Sequence, residues 1–544
     1  MSGSLMQGPL LISDLLTHAE TFHSHGEIVS RTVEGPIHRY TYKDASQRAK
    51  QLANLLESLG VQHGDRVASL AWNGYRHYEL YFAVSGMGAI MHTINPRLFP
   101  EQIEYILQHA EDKLLCVDLS FLPIVQRLLP QLPHLERIIV LTDDAHMPAD
   151  AQQTLSKGNH PPICYESELA KHNAEYEWPR FSDDAGAVLC YTSGTTGKPK
   201  GVLYSHRSQI LHAYASVQPD AMNLSSHSCV LPVVPMFHVS AWGVPYSCTL
   251  TGAKMVFPGA RMDGAALAEL IEDEKADFLL GVPTVWLGLL DYLRQNDKKL
   301  HTVQRVVVGG SAAPLAMIKE FQEVHDVFLI HAWGMTEMSP LGTLCTPTAR
   351  LLSLPLDQRY QYQRKQGRPV FGVALKIVDA KGEALPHDGS TFGRLMVKGP
   401  WVIERYYRSD ASALENGWFD TGDVATIDPE GYMQIVDRTK DVIKSGGEWI
   451  SSIELENIAV GHPDVQEACV VGVPHPKWDE RPLLLVIAKP NHQPTRESLL
   501  QYFEGKVAKW WIPDDAIVVK ELPHTATGKL LKISVRETHQ KHYL

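Results

Sequence analysis

Short apolar runs that alternate with stretches of helical spacing limit the fold of this chain more than any other feature. Residues 67–72 read as a buried strand, about 75–85 as a helix, and 88–94 as a second apolar run. Asn95-Pro96 breaks the chain, and 101–109 carries Ile103, Ile106 and Leu107 at helical spacing. Residues 114–117 and 138–141 read as further strands. The pattern resumes at 277–282, 305–308 and 327–332, where each run leads into Gly, Pro or Ser. Such alternation predicts an α/β fold with layered, largely parallel sheets. Ligand sites then lie beyond the strand ends.

The chain has 544 residues, more than one ordinary domain. After Asp437 the texture changes. Ser451 and Glu454 form a capping box opening a short helix that Gly461 ends. Strands at 468–473 and 483–488 and a helix near 497–507 follow. The division predicted is a large N-terminal domain of layered α/β subdomains, 1–436, and a small α+β domain, 437–544. Residues 144–177 are polar and Pro-bearing and read as a surface excursion.

Net charge is -12, with no basic stripe, which argues against a nucleic-acid partner. The 7 cysteines are scattered, without metal-site spacing, and read as reduced thiols. No apolar run approaches the roughly 18 residues that span a bilayer. No Lys or Arg precedes Arg31, so the start resembles neither a secretory signal nor a transit peptide. A cytoplasmic location is expected.

The chemistry concentrates in Tyr191 to Gly201, YTSGTTGKPKG. Thr192, Ser193, Gly194, Thr195, Thr196 and Gly197 bring hydroxyls and close-approaching backbone N–H groups, and Lys198 and Lys200 bring charge. These suit a polyphosphate. A Walker A loop is excluded, because Thr192 stands where it needs Gly and Pro199 where it needs Ser or Thr. The flanks, 188–191 and 202–204, look extended, so the loop is expected to join two strands.

This segment closely resembles the signature loop of the adenylate-forming enzymes: acyl-CoA synthetases, luciferases and peptide-synthetase adenylation domains. Further motifs of that family follow in order. Trp333-Gly334-Met335-Thr336-Glu337 is similar to the motif flanking adenine and supplying a magnesium ligand, and Thr421-Gly422-Asp423 to the one holding the ribose hydroxyls. Asp437-Arg438-Thr439-Lys440 resembles the hinge, and 523–529, PHTATGK, the segment with the mobile catalytic lysine. The resemblance implies ATP, Mg2+ and coenzyme A. Mg2+ favours oxygen ligands, which Thr192 and Glu337 can offer. Asp423 can accept from both ribose hydroxyls and Arg438 can donate to ribose oxygens. Gly309, Gly310 and Ser311 are placed by the resemblance against adenine and the acyl group, and Lys529 between the α-phosphate and the attacking carboxylate. Rotation about Lys440 would then exchange Lys529 for Lys444, Gly446, Gly447 and Trp449, which admit the pantetheine arm.

For the acid, Pro235 to Gly243, PMFHVSAWG, is similar to the family's acyl-pocket stretch. His238, Val239 and Trp242, with Gly310, Trp333 and Met338, form the expected substrate set. Its apolar character suits an alkyl or thioether chain. Peptide-synthetase domains carry Asp where His238 stands, which counts against an amino acid. In detail, 92–103, 231–243 and 331–340 look most like bacterial medium-chain fatty acyl-CoA ligases and 3-methylmercaptopropionate–CoA ligases. A non-catalytic acyl-adenylate sensor is the alternative of a different class. Homodimers are common in the resembled group.

Overall fold

The computed structural model describes residues 4–192, 198–446, 448–524 and 530–544. Two layered sheets dominate the first four-fifths of the chain. One has seven strands, with Arg66–Leu70 at its centre, parallel to Ile90–Thr93 and Leu114–Val117. The other has nine, including a parallel run of Lys254–Phe257, Cys229–Pro232, Phe278–Gly281, Arg305–Val308 and Phe328–Gly334. These strands are rich in Val, Ile and Leu, as expected where helices cover both faces of a sheet. Trp286, Phe257 and Phe278 are among the fully buried side chains.

Most expected elements are present. Leu114–Val117 and Arg305–Val308 match residue for residue, and Tyr75–Gly86 and Pro100–Ala110 are helices. The signature loop joins two antiparallel strands, Gly186–Tyr191 and Gly201–Ser205, on an edge of the seven-stranded sheet. A third sheet, antiparallel, contains Gly393–Lys398, Trp418–Ile427 and Met433–Arg438. A fourth belongs to the smaller C-terminal domain and is built on the long hairpin Val465–His475 and Asp479–Ala488. Asp515–Val518 lies parallel to the second hairpin strand.

Three expectations need correction. Residues 144–177 are not merely a surface excursion: Ile163–Cys164 is an edge strand, and Tyr165 is fully buried. Glu166 there pairs with Arg48 at 3.0 Å and Arg76 at 2.8 Å, so the segment is held by ion pairs that its polar composition concealed. The helix near 497–507 is shorter, Arg496–Gln501. The third concerns Ser452–Val460, which Ser451 caps by accepting from the Glu454 N–H; the reciprocal half of the capping box is missing. Glu454 instead turns to Arg364 of the large domain, with both carboxylate oxygens within 3.0 Å of its Nη2. A charge-assisted bond outcompetes a neutral cap.

Candidate active site

Four parallel strands of the nine-stranded sheet end side by side. Beyond their carboxyl ends lie 233–243, Val282, Gly309 to Ser311 and Met335 to Met338. Strand order alone therefore gathers the acyl-pocket stretch, the glycine pair and the Trp-Gly-Met-Thr-Glu motif at one edge.

The acyl-pocket stretch has an unusual backbone. Val239, Ser240, Ala241 and Trp242 have φ of 47°, 53°, 49° and 57°, and Gly243 follows at 76°. A left-handed turn of non-glycine residues costs about 1–2 kcal/mol per residue. It persists because its surroundings dictate it. Asn73, buried in the first layer, donates to the Pro232 and Val234 carbonyls at 2.9 and 2.8 Å and accepts from the Met236 N–H at 2.6 Å. On the far side, a Cβ at Gly243 would lie 2.8 Å from the His212 ring. His212 is itself pinned, its Nε2 accepting from the Leu341 N–H at 3.2 Å, and burial pushes its pKa down to about 3, so it is neutral. The turn directs the Trp242 indole onto Gly309, where a Cβ would come within 3.0 Å of the ring.

Trp333 and Asp423 meet. The indole Nε1 donates to Asp423 Oδ2 at 3.0 Å, and Arg438 Nε lies 2.9 Å from Oδ1. Asp423 and Arg438 are register partners on neighbouring antiparallel strands, which explains the pairing. Trp333 is backed by Gly342, where a Cβ would clash with the ring at 2.6 Å and with the buried Met338 at 2.8 Å. Gly334 also admits no side chain, because a Cβ would meet the Pro340 carbonyl oxygen at 2.0 Å.

Glu337 is buried, and desolvation raises its pKa against the opposing pull of Tyr406, Arg438 and Lys200. Tyr406 donates to it at 3.0 Å, while the Lys200 ammonium lies 4.7 Å from the Tyr406 ring centroid. Lys198 is held in the same way over Tyr105, at 4.9 Å. Thr192 closes the base of the signature loop: its N–H donates to the Lys200 carbonyl at 2.9 Å, and its Oγ1 accepts from the Lys200 N–H at 3.2 Å. Tyr204, on the returning strand, donates to the Thr336 carbonyl at 2.6 Å and ties this loop to the Glu337 motif. Ser193, Gly194, Thr195, Thr196, Gly197, Gly447 and Lys529 lie outside the described residues.

Lys444 and Trp449 face each other across a small-domain hairpin, and Lys444 is exposed, its N–H donating to Glu480 at 2.9 Å. Beside Gly446 stands Trp478, 42% exposed, whose backbone carbonyl accepts from the Gly446 N–H at 2.8 Å and over whose ring Lys477 lies at 4.4 Å. Asn73, Tyr204, Tyr406 and Trp478 had no local signal, since each acts on a partner distant in sequence. Among the described residues, no cluster of three or more His, Cys, Asp or Glu forms a ready-made metal cage.

The AMP-binding enzyme family matches residues 17–407, and the AMP-binding enzyme C-terminal domain matches residues 454–529. The chain belongs to the AMP-binding enzyme family. A 3-methylmercaptopropionyl-CoA ligase of Ruegeria lacuscaerulensis is 49% identical, over 99% of this chain and 98% of the relative. A medium-chain-fatty-acid–CoA ligase of Ectopseudomonas oleovorans is 48% identical, with the same two coverages. Among solved structures, an anthranilate CoA ligase in complex with anthranoyl-AMP has a TM-score of 0.85 at 25% identity, covering 99% of both chains. The mixed α/β architecture with a smaller C-terminal domain is that of adenylate-forming enzymes. No helix among the described residues is long and apolar enough to cross a membrane.

Proposed function

We propose that this protein ligates a medium-chain fatty acid to coenzyme A through an acyl-adenylate, with ATP cleaved to AMP and pyrophosphate. The observation that carries the reading is the convergence of Asp423, Trp333, Arg438, Glu337 and Lys200 at the edge to which the apolar turn at 239–243 also leads. The relatives named as CoA ligases, alike over nearly the whole chain, support it.

In this reading, Trp333 offers adenine a flat face, Asp423 accepts from the ribose hydroxyls and Arg438 donates to ribose oxygens, while Lys200 offsets phosphate charge. The acid lies along Trp242, His238 and Gly310, with Met338 behind Trp333. Its carboxylate oxygen attacks the α-phosphorus and pyrophosphate leaves. The CoA sulfur, losing its proton, then attacks the acyl carbon and AMP leaves. The oxygens of Glu337 and Thr192 fit a hard divalent ion, because a buried carboxylate with a raised pKa gains from a cation. Such an ion would supply positive charge at the phosphate oxygens. The domain division falls at the hinge 437–440, with 1–436 on one side and 437–544 on the other. A cytoplasmic setting supplies both ATP and CoA.

Thioester formation with octanoate, 3-methylmercaptopropionate and leucine, each with ATP and CoA, tests the reading. Octanoate is expected to turn over best and leucine not at all. Comparable turnover of leucine would overturn it, and a preference for the short thioether acid would favour the second substrate class. Because the Trp242 ring closes on Gly309, Trp242→Ala should shift the preference toward longer acids, seen as a rise in kcat/KM for chains beyond the wild-type optimum.

The exposed Trp478, next to the Gly446 turn and beneath Lys477, is proposed to stack on the adenine of CoA. Stacking of a base on an aromatic ring contributes about 1–3 kcal/mol. Trp478→Ala should thus raise the KM for CoA roughly fivefold or more, with acyl-adenylate formation unchanged.

A further inference from the structure

Lys532 is a lysine where the fold has no evident use for one. It opens the helix Lys532–His539, and its side chain is only 10% exposed. The ammonium lies 2.7 Å from Glu456 Oε1 and donates to Ser452 Oγ at 2.6 Å. Ser452, fully buried, passes the contact on: its hydroxyl and its N–H both donate to Asp437 Oδ2 at 2.6 Å. Asp437 Oδ1 accepts from the Arg438 N–H at 2.8 Å, and Glu456 also accepts from the Val470 N–H at 2.8 Å.

The place of this network matters more than its strength. Asp437 stands at the domain boundary: its backbone continues the strand Met433–Arg438, paired with Val424 of the antiparallel sheet, while its side chain is held by the small domain's first helix. Lys532 is three residues beyond Lys529 in the sequence. A buried charge cluster of this sort adds little net stability, since desolvation of each ion costs several kcal/mol. Its geometry, however, is tightly specified, because every charged atom depends on the others for compensation. Burial pushes the carboxyls of Glu456 and Asp437 above their ordinary range, against the pull of the Lys532 ammonium.

We propose that Lys532 is a positioning residue for adenylation: through Ser452 it ties the helix Lys532–His539, which follows Lys529 in the sequence, to Asp437, the first residue of the hinge. That helix is then held in one orientation relative to the pivot. This rests on the reading that Lys529 serves the adenylation step. Replacing the ammonium leaves Glu456 and Ser452 without their cation and frees the helix Lys532–His539 to adopt other orientations. Misplacement of a reacting group by about 1 Å costs up to roughly 10²-fold in rate.

The test is a single-turnover comparison of the two half-reactions in the full-length protein. Lys532→Met should slow acyl-adenylate formation roughly tenfold or more, yet convert supplied acyl-adenylate and CoA to thioester at close to the wild-type rate. Lys532→Arg, which keeps the charge, should recover most of the loss. A parallel fall in both half-reactions, or no change in either, would overturn the proposal, because a merely structural lysine predicts one of those. Should Lys532→Met not fold, Ser452→Ala carries the same test: slowed adenylation with thioester formation spared supports the tie, and parallel or absent effects overturn it. The underlying reading fails separately, if Lys529→Ala itself leaves acyl-adenylate formation intact.

Discussion

Lys529→Ala is expected to slow acyl-adenylate formation by about 10²–10³-fold, while supplied acyl-adenylate and CoA still give thioester. Adenylation brings a carboxylate against a polyphosphate, and negative charge grows on the α-phosphoryl oxygens as the new bond forms. A preorganised ammonium at that point acts on the transition state more than on the bound substrates. Lys444→Ala should show the opposite split, with pyrophosphate released in a first turnover and thioester formed slowly. Lys444 is exposed on the small-domain hairpin, whereas Asp423 and Glu337 are buried. In the alternation proposed, the small domain moves to bring Lys444 to that cluster. The pivot proposed is Lys440, so Lys440→Pro, which fixes φ, should impair thioester formation more than adenylation. Single-turnover assays of both half-reactions check all three variants, and equal losses in both steps would contradict alternation.

Glu337→Gln is expected to lower adenylation by roughly an order of magnitude or more, partly restored by excess Mg2+. The same substitution should raise the melting temperature of the ligand-free protein near neutral pH. Burial lifts the folded-state pKa of this carboxyl above its ordinary 4.5. The folded protein therefore binds this proton more tightly than the unfolded chain, and its stability falls as pH rises from about that value through the folded pKa. An amide has no such penalty and can still accept from Tyr406. Opposite movements of stability and activity would identify Glu337 as a charge held in place for a cation. A variant with unaltered Mg2+ dependence, or one less stable at every pH, would show that it is not.

The parts legible in the sequence were those written in local pattern. Leu114–Val117 and Arg305–Val308 could be read because a buried parallel strand is a short continuous apolar run. The signature loop's flanking strands were legible because Pro199 and Gly201 oppose a helix there. What escaped depends on partners distant in the chain. Tyr406 reaches Glu337 across 69 positions, and nothing near either residue announces the bond. Glu454 read as the second half of a capping box, but a guanidinium 90 positions away claimed it. The left-handed turn at 239–243 was invisible for a related reason: Val, Ser, Ala and Trp have no preference for positive φ, and neighbours such as Asn73 and His212 brace the turn from elsewhere in the chain.

The most direct test of the central claim is a quenched single turnover of the wild-type protein with octanoate, ATP and Mg2+, first without CoA and then with it. Without CoA, pyrophosphate and enzyme-bound octanoyl-adenylate are expected in equal amounts, with no ADP. Addition of CoA should convert that adenylate to octanoyl-CoA and AMP. Formation of ADP and phosphate, or of thioester with no adenylate preceding it, would rule out an acyl-adenylate route.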